Sequence, residues 1–495
     1  MTTHTVHPLI YEVYAHVWQK EWAQKRGHPL DIGAIPDEAL DTLAAVGVEW
    51  LWLMGVWQTG LRGLSIARTH PQLRTAYTEL LGPGLSEVDI VGSPYAIQSY
   101  TVHQSLGGPA ALATLRARLA ERGIKLMLDF VPNHTATDHP WTTDHPEYYV
   151  LGSDADIKTN DAFMSECGAI IRHGRDPHFP SWSDTAQLDW RNPETIAALR
   201  HTLLDIAAQC DGLRCDMAML LLRDVFASTW GAPPARPTTE PWVELLDAVL
   251  REHKDFAFAA EAYWGLEESL IALGFTWAYD KSLYDKLLSE DAWSVREHLL
   301  MDERRQRQRL RFLENHDEDR AAARLSHERH RAAAVLCATL PGAWLIHHGQ
   351  LEGRRIKSPV QLGRWPHEHA DLEVEFLYRS LLEAIQSSAI RNGGWSPLAC
   401  KPAWGGNSSS DQFVAHAWSS AAGLDVIVAV NFAPLTAQCY IELPLARLPT
   451  TTELLLVDAL TKNTYARKVS ELRAKGLYCE LPPWGAHLFL VKPQS

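Results

Sequence analysis

Short apolar runs, rich in β-branched and aromatic residues, recur along the chain, and stretches with helical spacing of apolar positions lie between them. Residues 9–18 (LIYEVYAHVW) predict a first strand and residues 48–53 (VEWLWL) a second. Residues 108–122 carry helical spacing, Gly123 stops that helix, and 124–131 (IKLMLDFV) predicts a buried strand. Helix, glycine, buried strand is the repeating unit of a parallel α/β fold. The unit recurs as helix 195–209 with strand 212–216 (GLRCD), and as helix 242–253 with strand 257–261 (AFAAE). Further strands are predicted at 275–279, 311–314 (RFLE) and 343–347 (AWLIH). Eight strands with helices between most of them predict a (β/α)8 TIM barrel of the α/β class. A doubly wound sheet is the alternative, but no GxGxxG motif follows an early strand.

Two long stretches interrupt the rhythm, at 54–106 after the second strand and 134–184 after the third. The second is rich in His, Asp, Pro and aromatics, and a connection of that length is functional or a small subdomain. Helix 372–388 closes the barrel. Beyond it, 413–418, 424–431, 453–460 and 486–491 predict strands without intervening helices, so the tail reads as a separate antiparallel β domain.

Composition narrows the partners. A net charge of −14 argues against binding phosphate backbones or anionic membranes, so neither nucleic acid nor membrane is expected as a partner. Nineteen tryptophans fit core packing first, and sugar stacking second. Seven cysteines, an odd number without zinc-ligand spacing, fit free thiols in a reducing compartment. The first residues lack a basic segment followed by an apolar one, and no run of 18 apolar residues occurs. A soluble, cytoplasmic protein is the expectation. Oligomeric state is not legible.

Barrel enzymes keep their chemistry at the C-terminal ends of strands. Four predicted ends carry polar residues: Asp129-Phe-Val-Pro-Asn133-His134, Gly212-Leu-Arg214-Cys-Asp216, Glu261-Ala-Tyr263 and Glu314-Asn315-His316-Asp317. A single carboxylate at a strand end is more often a helix cap or ion pair than a catalyst. Four in order point to chemistry. Alternation puts Arg214 and Asp216 on one face of a strand and Cys215 on the other. Arg214 is expected to hold Asp216 ionised. Asp216 is then the candidate nucleophile and Glu261 the candidate acid/base, its pKa raised by burial and nearby negative charge. The bland readings are a structural Arg214–Asp216 ion pair, His134 and His316 as satisfied polar groups under loops, and Tyr95 as core.

The set closely resembles the signature regions of the α-amylase family, glycoside hydrolase family 13, which look like DxxxNH, GxRxD, a strand-end Glu and xNHD. The resemblance spans nearly the whole chain and includes Ser93-Pro94-Tyr95. It implies a catalytic barrel over 1–133 and 185–389, an inserted domain B over 134–184, and a sandwich-like β domain over 390–495. It assigns catalysis to Asp216, Glu261 and Asp317, with Asp317 gripping substrate hydroxyls. It places Tyr95, His134, Arg214, His316 and Asp129 around the bound sugar. It further implies a retaining double displacement on α-glucosidic bonds of small oligosaccharides. Transglycosylation or isomerisation by the same intermediate is the alternative, and a catalytically inactive binding subunit a minor one.

The chain departs from the family where a Lys-His pair often follows the nucleophile; Met219 and Leu220 stand there. Asn133 matches a usual calcium ligand but serves equally as a turn-stabilising residue. Calcium needs six to eight oxygens, which the sequence does not assemble. No cofactor is therefore expected to be required. Glu318-Asp319-Arg320 reads as a solvated helix start, with a polar run shaping a nearby subsite as the alternative. His347 and His348 reach the site or cap a turn.

Overall fold

The computed structural model describes residues 7–232, 239–446 and 448–494. Eight parallel strands close a barrel: β1 (Leu9–Tyr14), β2 (Trp50–Met54), β3 (Lys125–Phe130), β4 (Gly212–Cys215), β5 (Ala257–Ala260), β6 (Trp277–Tyr279), β7 (Arg309–Arg311) and β8 (Ala343–His347). Each strand pairs with its sequence neighbours and β1 closes on β8, with Glu12 opposite both Trp52 and His347.

Alternation along the strands sorts the core into two shells. Trp50, Trp52, Met127, Ala257, Ala259, Trp277, Leu310 and Leu345 point inward and fill the lumen. Leu51, Leu53, Leu126, Leu128, Leu213, Cys215 and Phe258 point outward under the helices. Each fully buried apolar side chain of this size contributes about 1.5–3 kcal/mol. The largest tryptophans, including Trp50, Trp52, Trp242 and Trp344, are therefore core residues.

Local signals set the helices. Asn192 caps Pro193–Ala207 by accepting from the Glu194 N–H, and Pro193 fills the first turn, where no N–H partner is needed. Gly55 follows β2 at φ 73°, and a Cβ there would lie 2.5 Å from the Tyr14 ring. Only glycine lets the chain leave β2 along this path.

Two elements differ from expectation. The run 9–18 is strand only to Tyr14, and Ala15–Arg26 is helix. Both halves are buried, so apolar content alone could not separate them. The seventh strand ends at Arg311, and most of RFLE lies beyond its ladder, with Phe312 still packed in the lumen. β6 pairs with Arg309 and Leu310 and β8 with Leu310 and Arg311, so the ladder ends at Arg311.

The first long stretch holds a two-stranded ladder, Trp57–Thr59 against Ile97–Val102, and helices Leu61–Thr69 and Pro71–Leu81. The second leaves on His134–Ala136 and returns on Thr185–Gln187, which pair antiparallel. Between them lie short helices and a hairpin of Ala162–Met164 with Ile170–Arg172. After helix Leu372–Gln386 come a six-stranded and a three-stranded sheet. Every strand pair in them is antiparallel, around a shared core that includes Phe413, Ile427, Cys439 and Leu456. Among the described residues no helix is long and apolar enough to cross a membrane.

Candidate active site

The site is organised by one buried cation. Arg214 points from β4 into the barrel mouth and is 1% exposed. A buried charge is tolerated only with partners. Its Nη1 donates to Asp216 Oδ1 at 2.7 Å and lies 3.8 Å from Asp129 Oδ1. Its Nη2 forms an ion pair with Glu261 Oε2 at 2.7 Å, outside hydrogen-bond alignment. Its Nε donates to Tyr279 Oη at 3.3 Å, and the rings of Tyr95 and Trp52 lie 5.2 and 5.3 Å from the guanidinium. Cys215 faces the outer shell, as alternation requires.

Three carboxyls around Arg214 are shifted upward. Burial pushes Glu261 to about 7 against the pull of Arg214, and the charges of Asp216 and Asp317 add to the rise. Burial pushes Asp129 to about 7; it accepts from Trp52 Nε1 at 3.1 Å and the Gly55 N–H at 3.3 Å. Asp216 also rises, because burial outweighs Arg214. The arginine makes the expected contact with Asp216 but does not bring that carboxyl below its usual range, since desolvation acts on the charged form first.

Asp317 behaves differently. Its side chain is 48% exposed, and although burial raises its pKa, His316 Nε2 at 2.9 Å brings it below the usual value. His316 Nδ1 lies 2.6 Å from Glu12 Oε1. Burial alone would lower the His316 pKa, but Asp317 and Glu12 lift it to about 10. The result is a carboxylate–imidazolium–carboxylate row of Glu12, His316 and Asp317. Tyr95 Oη stands 2.6 Å from His316 Nε2, with the two rings 5.4 Å apart.

Glu12 is a site residue that sequence reasoning missed. It is fully buried on β1, and His347 Nδ1 lies 3.0 Å from its other oxygen. Burial raises its pKa, yet the two histidines hold it well below the usual carboxylate range. Burial pushes His347 down to about 4, so His316 is the cation that matches Glu12. The available signal was one glutamate inside the otherwise apolar run LIYEVY.

His134 begins the ladder of the second insertion. It is 4% exposed, its ring lies 5.1 Å from that of Trp182, and burial lowers it to about 4, with Asp184 and the Tyr95 main chain opposing. Asn133 matches a usual calcium ligand in sequence, and its surroundings test that match. Its Oδ1 accepts from Gln187 Nε2 at 3.0 Å and its backbone carbonyl from the same nitrogen at 2.9 Å. A donor amide, where a cation would need oxygens, does not fit a calcium site. Among the described residues no group of three or more His, Cys, Asp and Glu is placed to hold a metal ion.

Arg320 is not part of a solvated helix start. It is buried, donates to Glu314 Oε1 at 2.7 Å and to the His348 carbonyl at 2.8 Å, and so ties the segment after β7 to the end of β8. Tyr149 is core, its hydroxyl 2.9 Å from Thr135 Oγ1. Tyr263, at the same strand end as Glu261, donates to Glu261 Oε1 at 2.7 Å.

Residues 37–268 match the family model described as the catalytic domain of alpha amylase. Among curated proteins the chain is similar to "Alpha-amylase MalA" of Haloarcula japonica, 26% identical over 360 residues, which is 70% of this chain and 44% of that protein. It is also similar to an alpha-1,4-glucan:maltose-1-phosphate maltosyltransferase of Rhodospirillum rubrum, 26% identical over 329 residues, 63% of this chain and 40% of that protein. The chain thus spans less than half the length of these curated relatives. Among solved structures, a noncanonic maltogenic alpha-amylase from Thermotoga neapolitana superposes with a TM-score of 0.69 at 17% identity, over 99% of each chain. At that identity the likeness speaks for the fold.

Proposed function

We propose that this chain, which carries an α-amylase-family catalytic domain, is a retaining glycoside hydrolase acting on α-glucosidic bonds of small oligosaccharides. The observation that carries the reading is the double grip of Arg214, whose two terminal nitrogens hold Asp216 and Glu261 at 2.7 Å each. Two carboxyls bound to one guanidinium lie close together. The retaining mechanism calls for a separation of about 5–5.5 Å, against ~6.5–9.5 Å for inversion.

In this reading Asp216 attacks the anomeric carbon and forms a glycosyl-enzyme, while Glu261, protonated near neutrality, gives its proton to the leaving oxygen. Water, activated by the same Glu261 as base, then releases the sugar. Asp317 and His316 grip ring hydroxyls, His134 binds from the insertion side, and Tyr95 stacks on the sugar beside Arg214. Asp129 supports Arg214 and the turn at Gly55. The seven free cysteines fit a reducing compartment, so we place the enzyme in the cytoplasm.

Transfer to a sugar hydroxyl instead of water is the second reading. It is favoured by the likeness to a maltosyltransferase and by Trp264, a 42% exposed indole three residues beyond Glu261. The presence of Asp216, Glu261 and Asp317 together counts against an inactive binding subunit. Maltotriose, sucrose and trehalose incubated with the protein test the reading. Shortened sugars of retained α-configuration support hydrolysis, and lengthened or rearranged sugars support transfer. Turnover undiminished in Asp216→Asn would reject the nucleophile.

A further inference from the structure

We infer that Tyr263 is a positioning residue for the acid/base, fixing which oxygen of Glu261 carries the transferable proton and where it points; this rests on the reading of Glu261 as acid/base. The two oxygens of Glu261 have unlike surroundings. Oε2 accepts from the Met217 N–H at 2.6 Å and lies 2.7 Å from the cationic Nη2 of Arg214. Met217 reaches that position by adopting a left-handed backbone, φ 42° and ψ 45°, directly after Asp216. Such a conformation is rare for a residue with a side chain, and it persists where surrounding structure enforces it. A proton on Oε2 would set an O–H against the Met217 N–H donor and a guanidinium cation. The proton therefore belongs on Oε1.

Oε1 has Tyr263 as its partner, with the hydroxyl donating at 2.7 Å. A carboxyl oxygen offers two lone-pair directions. The Tyr263 hydroxyl fills one and leaves the other for the proton. Burial holds the phenol well above its ordinary pKa, so it remains a donor across the working range. The turn that presents it is tightly specified. The Leu266 N–H donates to the Tyr263 carbonyl at 3.2 Å, and the two central residues, Trp264 and Gly265, stand at φ 62° and 74°. That is a type I′ turn, in which a tryptophan occupies a position usually given to Asn, Asp or Gly.

The groups facing Glu261 are Arg214, Asp216 and the Met217 N–H from β4 and the residues after it, Asp317 beyond β7, and Tyr263. In the first half-reaction the Oε1 proton passes to the glycosidic oxygen as the bond to the anomeric carbon breaks and its electron pair moves to that oxygen. Negative charge appears on Oε1, and the Tyr263 hydrogen bond strengthens. In the second half Oε1 takes a proton from the attacking water.

The test is Tyr263→Phe in the full chain, with melting temperature as the control for folding. Two rates are compared: turnover of whichever of maltotriose, sucrose and trehalose the wild type cleaves fastest, and the burst of dinitrophenolate from 2,4-dinitrophenyl α-glucoside, whose leaving group needs no proton. The variant is expected to lose about 10- to 100-fold in kcat on the sugar, with KM little changed. The dinitrophenolate burst should stay within about threefold of wild type. The basic limb of the pH profile should move upward, because a hydrogen bond to the ionised form of Glu261 is lost. Equal loss on both substrates with an unmoved limb would reduce Tyr263 to packing and overturn the inference. So would an unchanged sugar rate. A wild type that cleaves neither class of substrate would defeat the glycosidase reading itself.

Discussion

Glu12 and His316 meet 2.6 Å apart at the base of the site, a carboxylate from β1 and an imidazolium from beyond β7, separated by 304 positions in the chain. Both are buried, so neither charge is supported by water; Asp317 and Glu12 together keep the imidazole charged, and the imidazolium in turn holds Glu12 ionised. Asp317 rests on the far nitrogen of the same ring.

Glu12→Gln should therefore lower stability and disturb Asp317 at once. Breaking a buried pair from one side costs about 3–5 kcal/mol. The pH dependence is specific. His316 titrates near 10 in the folded chain against 6.5 for an ordinary imidazole, so its contribution is complete below pH 6.5 and disappears as pH climbs toward 10. Melting temperatures of the wild type should fall over that span, and those of the variant should start lower and change less. A wild type whose melting temperature is level from pH 7 to 10 would contradict the pairing.

The rate profile should report Glu261. With its pKa pushed up to about 7 and the protonated form required, kcat/KM on a neutral sugar should decline tenfold per pH unit above that value. A profile flat to pH 9 would remove Glu261 from the acid role.

Arg214→Lys tests the double grip. A lysine is a point charge and cannot reach Asp216 and Glu261 along two fixed directions. A loss of about 100-fold or more in kcat/KM is expected, with Asp216 and Glu261 titrating differently from wild type. Activity within a few fold of wild type would show that charge alone suffices.

At Asn133 the amide of Gln187 takes the place a cation would need. Excess chelator should leave both melting temperature and activity unchanged. Gln187→Ala, which leaves buried groups around Asn133 unpaired, should lower melting temperature by an amount worth about 1–3 kcal/mol. Loss of activity in chelator that calcium restores would overturn this account.

What the sequence made legible follows from periodicity. Arg214 inward and Cys215 outward needed only the two-residue repeat of a strand, and the barrel needed only the recurrence of helix, glycine and apolar run. Glu12 was hidden because its meaning lies in partners 304 and 335 residues away, which local pattern cannot reach. Arg320 looked solvated because Glu318 and Asp319 beside it are charged, whereas its own guanidinium turns inward to Glu314. The upward shift of Asp216 was not visible either. Desolvation depends on how deep the mouth of the barrel is, and motif spacing carries no depth.

The stretch after β3 departs on His134–Ala136 and returns on Thr185–Gln187, one ladder of three residues a side with His134 opposite Gln187. Its two ends are therefore neighbours, and its interior is tied to the barrel as well: Asn192 and Thr195, at the start of the helix at Pro193, donate to the Glu147 and Tyr148 carbonyls. In the proposed reading the catalytic carboxylates stand on the barrel strands, while His134 comes from a segment whose tether to the barrel is set by these few contacts.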